Sequence, residues 1–312
     1  MQHMQQKRHA TVDFGPSLCE VPDHKWLNAV KSVVQPLGGF ETLSEIHSAT
    51  FLEGSSTLLV SFESISGIRN LSPSHHPFGW DMARDFGWSH LCLLSPNDTW
   101  FRDPAVFGYF DSLVDDSFFD AFDNIIFYGA GSCGYAAAAF SVAAPGSTVF
   151  VIQPQATLDH RITEWDTRFR SHRRADFTNR YGYAPDMLDA AGAAFVVYDP
   201  AQQLDAMHAA LFNADNVTRL RMRNMGADLE KDLLRMNVLH DVVKDAAQGE
   251  LTLTNFAKHY RARRDDPSYL RSLLRIADTK NRPPLAHAIC KNVVSRMKAP
   301  RFAARLKKAG KT

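Results

Sequence analysis

Apolar residues are distributed along the chain in two rhythms. Dense short runs occur at TLLVSF (57–62), SHLCLL (89–94), NIIFYG (124–129), STVFVIQ (147–153), AAFVVYD (193–199) and NVTRLRM (216–222). Bounded by turn-forming residues, they are predicted strands. Between them, apolar positions return at helical spacing over about 104–121, 133–144, 184–191, 201–213 and 227–247, which predicts helices there. Strand and helix thus alternate, as a parallel sheet demands. The fold class is α/β, with a doubly wound sheet and ligands expected at the carboxyl ends of the strands. The longest insertion without a strand is 160–190, and no internal repeat or low-complexity linker interrupts the pattern.

Composition narrows this picture. With 312 residues, 45% apolar and 22% charged, the chain can bury one large core, alone or with an appendage. The pattern divides it into an N-terminal extension (1–50), a main domain (51–250, with 160–190 as a short cap) and a helical C-terminal extension (251–312). The start has no apolar run after its basic residues, and no stretch reaches the roughly 18 uncharged apolar residues of a membrane span, so a cytoplasmic location is expected. The four cysteines, Cys19, Cys92, Cys133 and Cys290, form no CxxC pair, which points away from a disulfide framework or zinc knuckle.

The net charge of +1 hides an asymmetry. From Lys258 onward there are 16 Lys and Arg against 3 Asp, while the preceding residues hold 19 basic against 31 acidic side chains. Helical spacing of Tyr269, Leu270, Leu273, Leu274 and Ile276 makes this basic tail folded. Docking on the acidic body is the first expectation. A surface for nucleic acid, acidic glycan or anionic lipid is the alternative, with nucleic acid the less favoured partner.

The segment FYGAGSCGYAAAAF (127–140) admits two readings. Gly129, Gly131 and Gly134 spell the GxGxxG loop of dinucleotide-binding proteins. That reading needs an acidic residue at the end of the next strand to hold ribose hydroxyls, and the chain has Gln153 there. Alternatively, a tight strand-to-helix turn carrying Ser132 and Cys133 is a nucleophile elbow. Tyr128, Gly129, Gly134, Tyr135, Ala136 and Ala137, the pair Pro154-Gln155, and Asp199-Pro200 followed by Asp205 and His208 together resemble a bacterial group of α/β-hydrolase-fold proteins with a YGSSMGGYAAL-like elbow. The resemblance covers roughly 50–245 and implies a mostly parallel sheet of α/β-hydrolase type and acyl-ester hydrolase or acyltransferase chemistry without a cofactor.

Against that group's pattern, the nucleophilic serine falls on Gly131, and the Gly-His pair after the last strand is replaced by Gly226-Ala227-Asp228. An elbow shifted by one residue would make Ser132 the nucleophile, with Asp199 as acid and His208 as first choice of base. The backbone N–H groups of Cys133 and of Glu63 or Ser64 would then form the oxyanion hole. Three functional readings stay open: a serine-hydrolase-like enzyme with a degenerate triad, a non-catalytic binding or regulatory protein on a decayed hydrolase scaffold, and a dinucleotide-binding protein. Arg168, Arg170, Arg173 and Arg174 in the cap are candidates to grip a small-molecule or glycan-type anionic substrate. His75, His76, His90 and Asp81 lack metal-ligand spacing, so no metal is expected.

Overall fold

The computed structural model describes residues 14–309; the first thirteen residues of the N-terminal extension and the last three of the C-terminal one lie outside the described residues. Eight strands form one sheet: β1 (Gly38–Thr42), β2 (Ser48–Leu52), β3 (Thr57–Ser64), β4 (Ser89–Ser95), β5 (Asn124–Ala130), β6 (Thr148–Ile152), β7 (Ala193–Tyr198) and β8 (Val217–Arg221). Their spatial order is β1-β2-β4-β3-β5-β6-β7-β8. β2 runs antiparallel to β1 and β4, and the remaining neighbours pair in parallel.

The six runs all form strands, and those inside the sheet are covered on both faces, whereas the edge strand β8 buries only Leu220. In β6, Val149 and Val151 enter one core while Phe150 and Ile152 enter the other. Along β7, Ala194 and Val196 alternate with Phe195 and Val197 in the same way. A strand buried on both sides reads as a continuous apolar run. Each such valine, isoleucine or phenylalanine contributes roughly 1.5–3 kcal/mol on burial.

Helices α1 (Asp23–Val34), α2 (Ile65–Leu71), α3 (Phe78–Phe86), α4 (Pro104–Asp115), α5 (Ser132–Phe140), α6 (His160–Thr163), α7 (Ala184–Met187) and α8 (Gln203–Leu211) precede β8. After it come α9 (Leu229–Arg235), α10 (Leu239–Ala247), α11 (Leu253–His259), α12 (Pro267–Thr279), α13 (Pro283–Arg296) and α14 (Pro300–Ala309). All nine residues of α5 are buried. Its run of four alanines lets the helix lie close to the sheet, at its centre.

The structure departs from the sequence reading in three places. Residues 23–52 form α1, β1 and β2, so a division at residue 50 would cut β2 and separate two strands from their own sheet. The segments GGFET and SATFL are too short and too polar to announce themselves as strands. The long helices expected over 104–121 and 227–247 are each broken, at Ser117 (φ 54°) and Asn237 (φ 55°), where the chain adopts a left-handed residue. The C-terminal extension has two parts. Phe256 and Tyr260 pack into the core of the main domain, whereas α12 to α14 gather around Leu270, Cys290, Val293 and Phe302. Arg235 of α9 reaches Asp266 at 2.5 Å and ties the two together.

Candidate functional site

The turn between β5 and α5 carries the geometry on which both sequence readings depended. Gly131 has φ 58° and ψ −122° and precedes the first helical residue, Ser132. In a nucleophile elbow the attacking residue holds the strained position between strand and helix. That position here is Gly131. A Cβ on Gly129 would lie 2.3 Å from the carbonyl oxygen of Cys133, so this glycine is required by close approach of strand and helix. A Cβ on Gly131 would meet nothing within 4 Å, so there is room for a side chain and none is present. Ser132, the shifted candidate, is 4% exposed and donates its hydroxyl proton to Asp98 Oδ1 at 2.6 Å. No imidazole among the described residues accepts from it.

The other two members of the expected triad are committed elsewhere. Asp199 follows β7 and is fully buried. Its Oδ1 accepts from the backbone N–H groups of Ala201 and Asn224, and its Oδ2 accepts from that of Gly226. It therefore fastens the loop after β8, where an imidazole would stand, through amides. His208 is also fully buried, in α8. Its Nδ1 accepts from the N–H of Ala156 at 3.1 Å, which leaves the proton on Nε2, donated to Asp166 Oδ2 at 2.9 Å. Both ring nitrogens are thereby used, and His208 does not meet Ser132. Ser132, Asp199 and His208 are not assembled into a relay.

A cavity of about 460 Å³ opens beside this turn, at the carboxyl ends of β3 and β5. Glu63, Ser64, Cys133, Glu230 and Asp98 are on its wall, with Phe62, Ile68, Leu71, Phe78 and Leu234 supplying apolar surface. Burial pushes the Glu63 carboxyl up to about 7, against the opposing effect of the Phe78 N–H (2.9 Å) and the Ser61 hydroxyl (2.7 Å), which both donate to it. Burial likewise raises Glu230, although the Tyr128 hydroxyl donates to it at 2.5 Å. The Cys133 thiol is raised by burial and by Glu230 and Asp98, so it is not a ready nucleophile. Sequence reasoning had valued Glu63 for its backbone amide. The signal it passed over was a glutamate ending an otherwise apolar strand, TLLVSFES.

Behind Glu63, the hydroxyl of Ser61 donates to Glu63 and so accepts from His90 Nε2 at 2.8 Å. His90 is fully buried, its pKa lowered to about 3 by burial, and the space its ring fills is the one a side chain on Gly79 would need. Donor atoms of Glu63, His90 and Cys92 lie within 4.8 Å of one another, with the Ser61 hydroxyl already bridging two of them. Among the four residues weighed for zinc, His90 belongs to this group, while Asp81 is paired with Arg84 at 2.7 Å.

The cap contributes nothing to the cavity wall. Arg168 is held by Asp166 (2.8 Å) and Asp205 (2.6 Å), and Arg173 donates to the carbonyls of Thr163, Glu164 and Asp166. Arg170 and Arg174 are exposed, on a short 3₁₀ turn. The expected grip of four arginines on an anion at the strand ends is therefore not built: two are spent internally and none faces the cavity. Gln153, where a dinucleotide site needs an acid, donates to Asp205 and accepts from the N–H of Leu229.

Strand order, the antiparallel second strand, the strained turn after β5 and an acid after β7 together decide the architecture. The fold is that of the α/β-hydrolases. No protein-family model matches the chain, and no curated protein sequence does. Solved structures similar to it include EstE1, a thermophilic carboxylesterase cloned from a metagenomic library (13% identity over 66% of this chain and 85% of that one, TM-score 0.44). An α/β-hydrolase from Vibrio vulnificus is 15% identical over 75% of this chain and 88% of that one, with TM-score 0.42. The capsule O-acetyltransferase of Neisseria meningitidis serogroup A is 12% identical over 64% and 92%, with TM-score 0.42. At these identities the likeness is one of chain path. No helix among the described residues is long and apolar enough to cross a membrane.

Proposed function

We propose that this chain is a non-catalytic, small-molecule-binding protein on an α/β-hydrolase scaffold. The observation that carries the reading is Gly131 at φ 58° and ψ −122°: the position from which the elbow presents its nucleophile holds a residue with no side chain. The commitments of Asp199 to three backbone amides and of His208 to Ala156 and Asp166 support it, because neither is free to relay a proton from Ser132. What the scaffold retains is the cavity at the strand ends, the usual place for a ligand in an open α/β sheet. Fold alone does not dictate activity, so retention of one without the other is physically consistent.

The test is activity-based labelling. A fluorophosphonate probe should leave Ser132 unmodified over hours, and hydrolysis of p-nitrophenyl acetate should stay at the buffer rate. Rapid labelling that disappears in Ser132→Ala would overturn the reading, because it would demonstrate a base acting on that hydroxyl.

A further inference from the structure

We infer that helices α12 to α14 form a docking surface for the phosphate backbone of nucleic acid, recognised by charge and not by base sequence. The surface is separate from the cavity beside Gly131, so the inference goes beyond the reading of that cavity and does not depend on it. Between Pro267 and Lys307 the sequence holds ten Lys and Arg against one acid, Asp278. These helices bury an apolar centre of their own, around Leu270, Cys290, Val293 and Phe302, so the excess charge sits on a folded unit. Nor is it spent on the acidic body, as the sequence led us to expect. At the ion pair that ties the two together, the body supplies the cation, Arg235, and the extension supplies the acid, Asp266. The other two acids after Lys258 are taken within the extension, Asp265 by Arg296 at 2.5 Å and Asp278 by Arg305 at 2.8 Å. Every acid of this stretch is thus committed. Arg264, Arg275, Arg282, Lys291, Arg301 and Lys307 remain exposed, their side chains without a hydrogen bond or ion pair among the described residues.

Helical spacing gathers part of this charge. Arg271, Arg275 and Asp278 share one face of α12, Arg301 and Arg305 share one face of α14, and the contact between Asp278 and Arg305 brings the two faces side by side. Arg275 and Arg301 therefore flank a neutralised pair, each with its own guanidinium free. A second row stands at the edge of the sheet. Arg219 and Arg221 alternate with buried Leu220 along β8 and are likewise exposed without a side-chain partner among the described residues. Just beyond them, the carbonyl of Arg223 accepts from the Tyr260 hydroxyl at 3.3 Å, which sets this row beside the root of the extension. Guanidinium groups not engaged by carboxylates can pair with phosphate oxygens in bidentate fashion, and release of counterions from the polyanion drives the association. The rest of the chain, with 19 basic against 31 acidic side chains before Lys258, repels the same polyanion and confines contact to the basic side. An anionic membrane is the poorer match, because stable attachment combines charge with an apolar face. The exposed large apolar side chains among the described residues of these helices, Leu285 and Val294, lie nine positions apart on α13 and so point to opposite sides.

Fluorescein-labelled duplexes of about 20 base pairs, as DNA and as RNA, titrated with the full chain and read by fluorescence anisotropy, test this. At about 50 mM salt the chain should bind at least one of the two, scrambling the base sequence should leave affinity unchanged, and raising salt to about 200 mM should weaken binding at least tenfold. A variant carrying Arg275→Gln and Arg301→Gln should bind at least tenfold more weakly at the lower salt, with a salt slope shallower by about two, one unit for each lost phosphate contact. Its thermal unfolding should match that of the parent, which separates loss of the surface from loss of the fold. A second variant, Arg170→Gln with Arg174→Gln in the cap, should bind as the parent does. Failure of both duplexes to bind, affinity that follows base sequence, affinity unchanged by Arg275→Gln with Arg301→Gln, or an equal loss in the cap variant would overturn the inference. Tighter binding to phosphatidylcholine vesicles containing phosphatidylserine than to either duplex would overturn it in favour of a lipid surface.

Discussion

In the cap, Asp166 accepts from His208, Arg168 and the N–H of residue 168, Arg168 goes on to Asp205, and Asp205 accepts from Gln153. In the cleft, Glu63 and Glu230 are half-buried and receive only neutral donors, from Ser61, Phe78 and Tyr128. Both regions concentrate charge that is at least partly buried. The cap neutralises it with cationic partners of its own, whereas the cleft meets its acids with neutral donors only. A run of arginines or a histidine near an aspartate is therefore a poor guide to a site until the partners are counted.

The contrast predicts opposite responses to removing an acid. In the cap, Asp166→Ala strands a buried imidazole and a guanidinium and should cost about 4 kcal/mol in urea unfolding. Burial alone would raise the Asp166 carboxyl, but His208 and Arg168 outweigh it and hold the pKa below the usual range. A depressed folded pKa gives stability that is present above the unfolded value near 4 and lost as pH falls, so the penalty of the variant should shrink in acid. Glu63 has the reverse sign. Its folded pKa of about 7 lies above the unfolded value, so the parent loses stability as pH rises from roughly 4.3 to 7. Glu63→Gln should remove that loss, gaining about 3 kcal/mol on the parent between pH 4 and pH 8. A pH-independent difference would break the comparison.

Much of the fold was legible because two-sided burial writes itself into sequence as apolar runs, and β3 to β7 were read from them; β8, a mixed edge strand, was read from the alternation of Val217, Arg219 and Arg221 with Thr218 and Leu220. β1 and β2 were not, since an antiparallel edge needs only short, mixed segments. The site was less legible for a different reason. Gly131 could be counted as the elbow position from its neighbours, but the placement of Glu230 beside the cavity depends on its meeting Tyr128, 102 residues earlier, which no local spacing announces. His208 looked like a base near an acid by order along the chain. Its actual partners, Ala156 and Asp166, come from the insertion and the loop before it, and no local spacing announces them.

The elbow offers a smaller test between two glycines two residues apart, Gly129 and Gly131. Gly129→Ala would force a methyl to within 2.3 Å of a backbone carbonyl oxygen, where neither strand nor helix can yield, and should cost about 3 kcal/mol. Gly131→Ala meets open space and has only the positive φ against it, so about 1 kcal/mol is expected. Equal penalties in thermal unfolding would mean that backbone strain, rather than close approach of helix and strand, governs the turn.

The smallest effect belongs to the two arginines that the cap does not use. Arg170 and Arg174 are exposed and make no hydrogen bond or ion pair among the described residues, unlike Arg168 and Arg173 beside them. Substituting both with Gln should leave unfolding free energy within about 0.5 kcal/mol of the parent, as expected for surface positions without partners. A phosphate- or carboxylate-bearing ligand whose stabilising shift vanished in this double variant would reverse the comparison: the cap would then hold a site of its own, and charge left unpaired at its surface would be the feature to follow there.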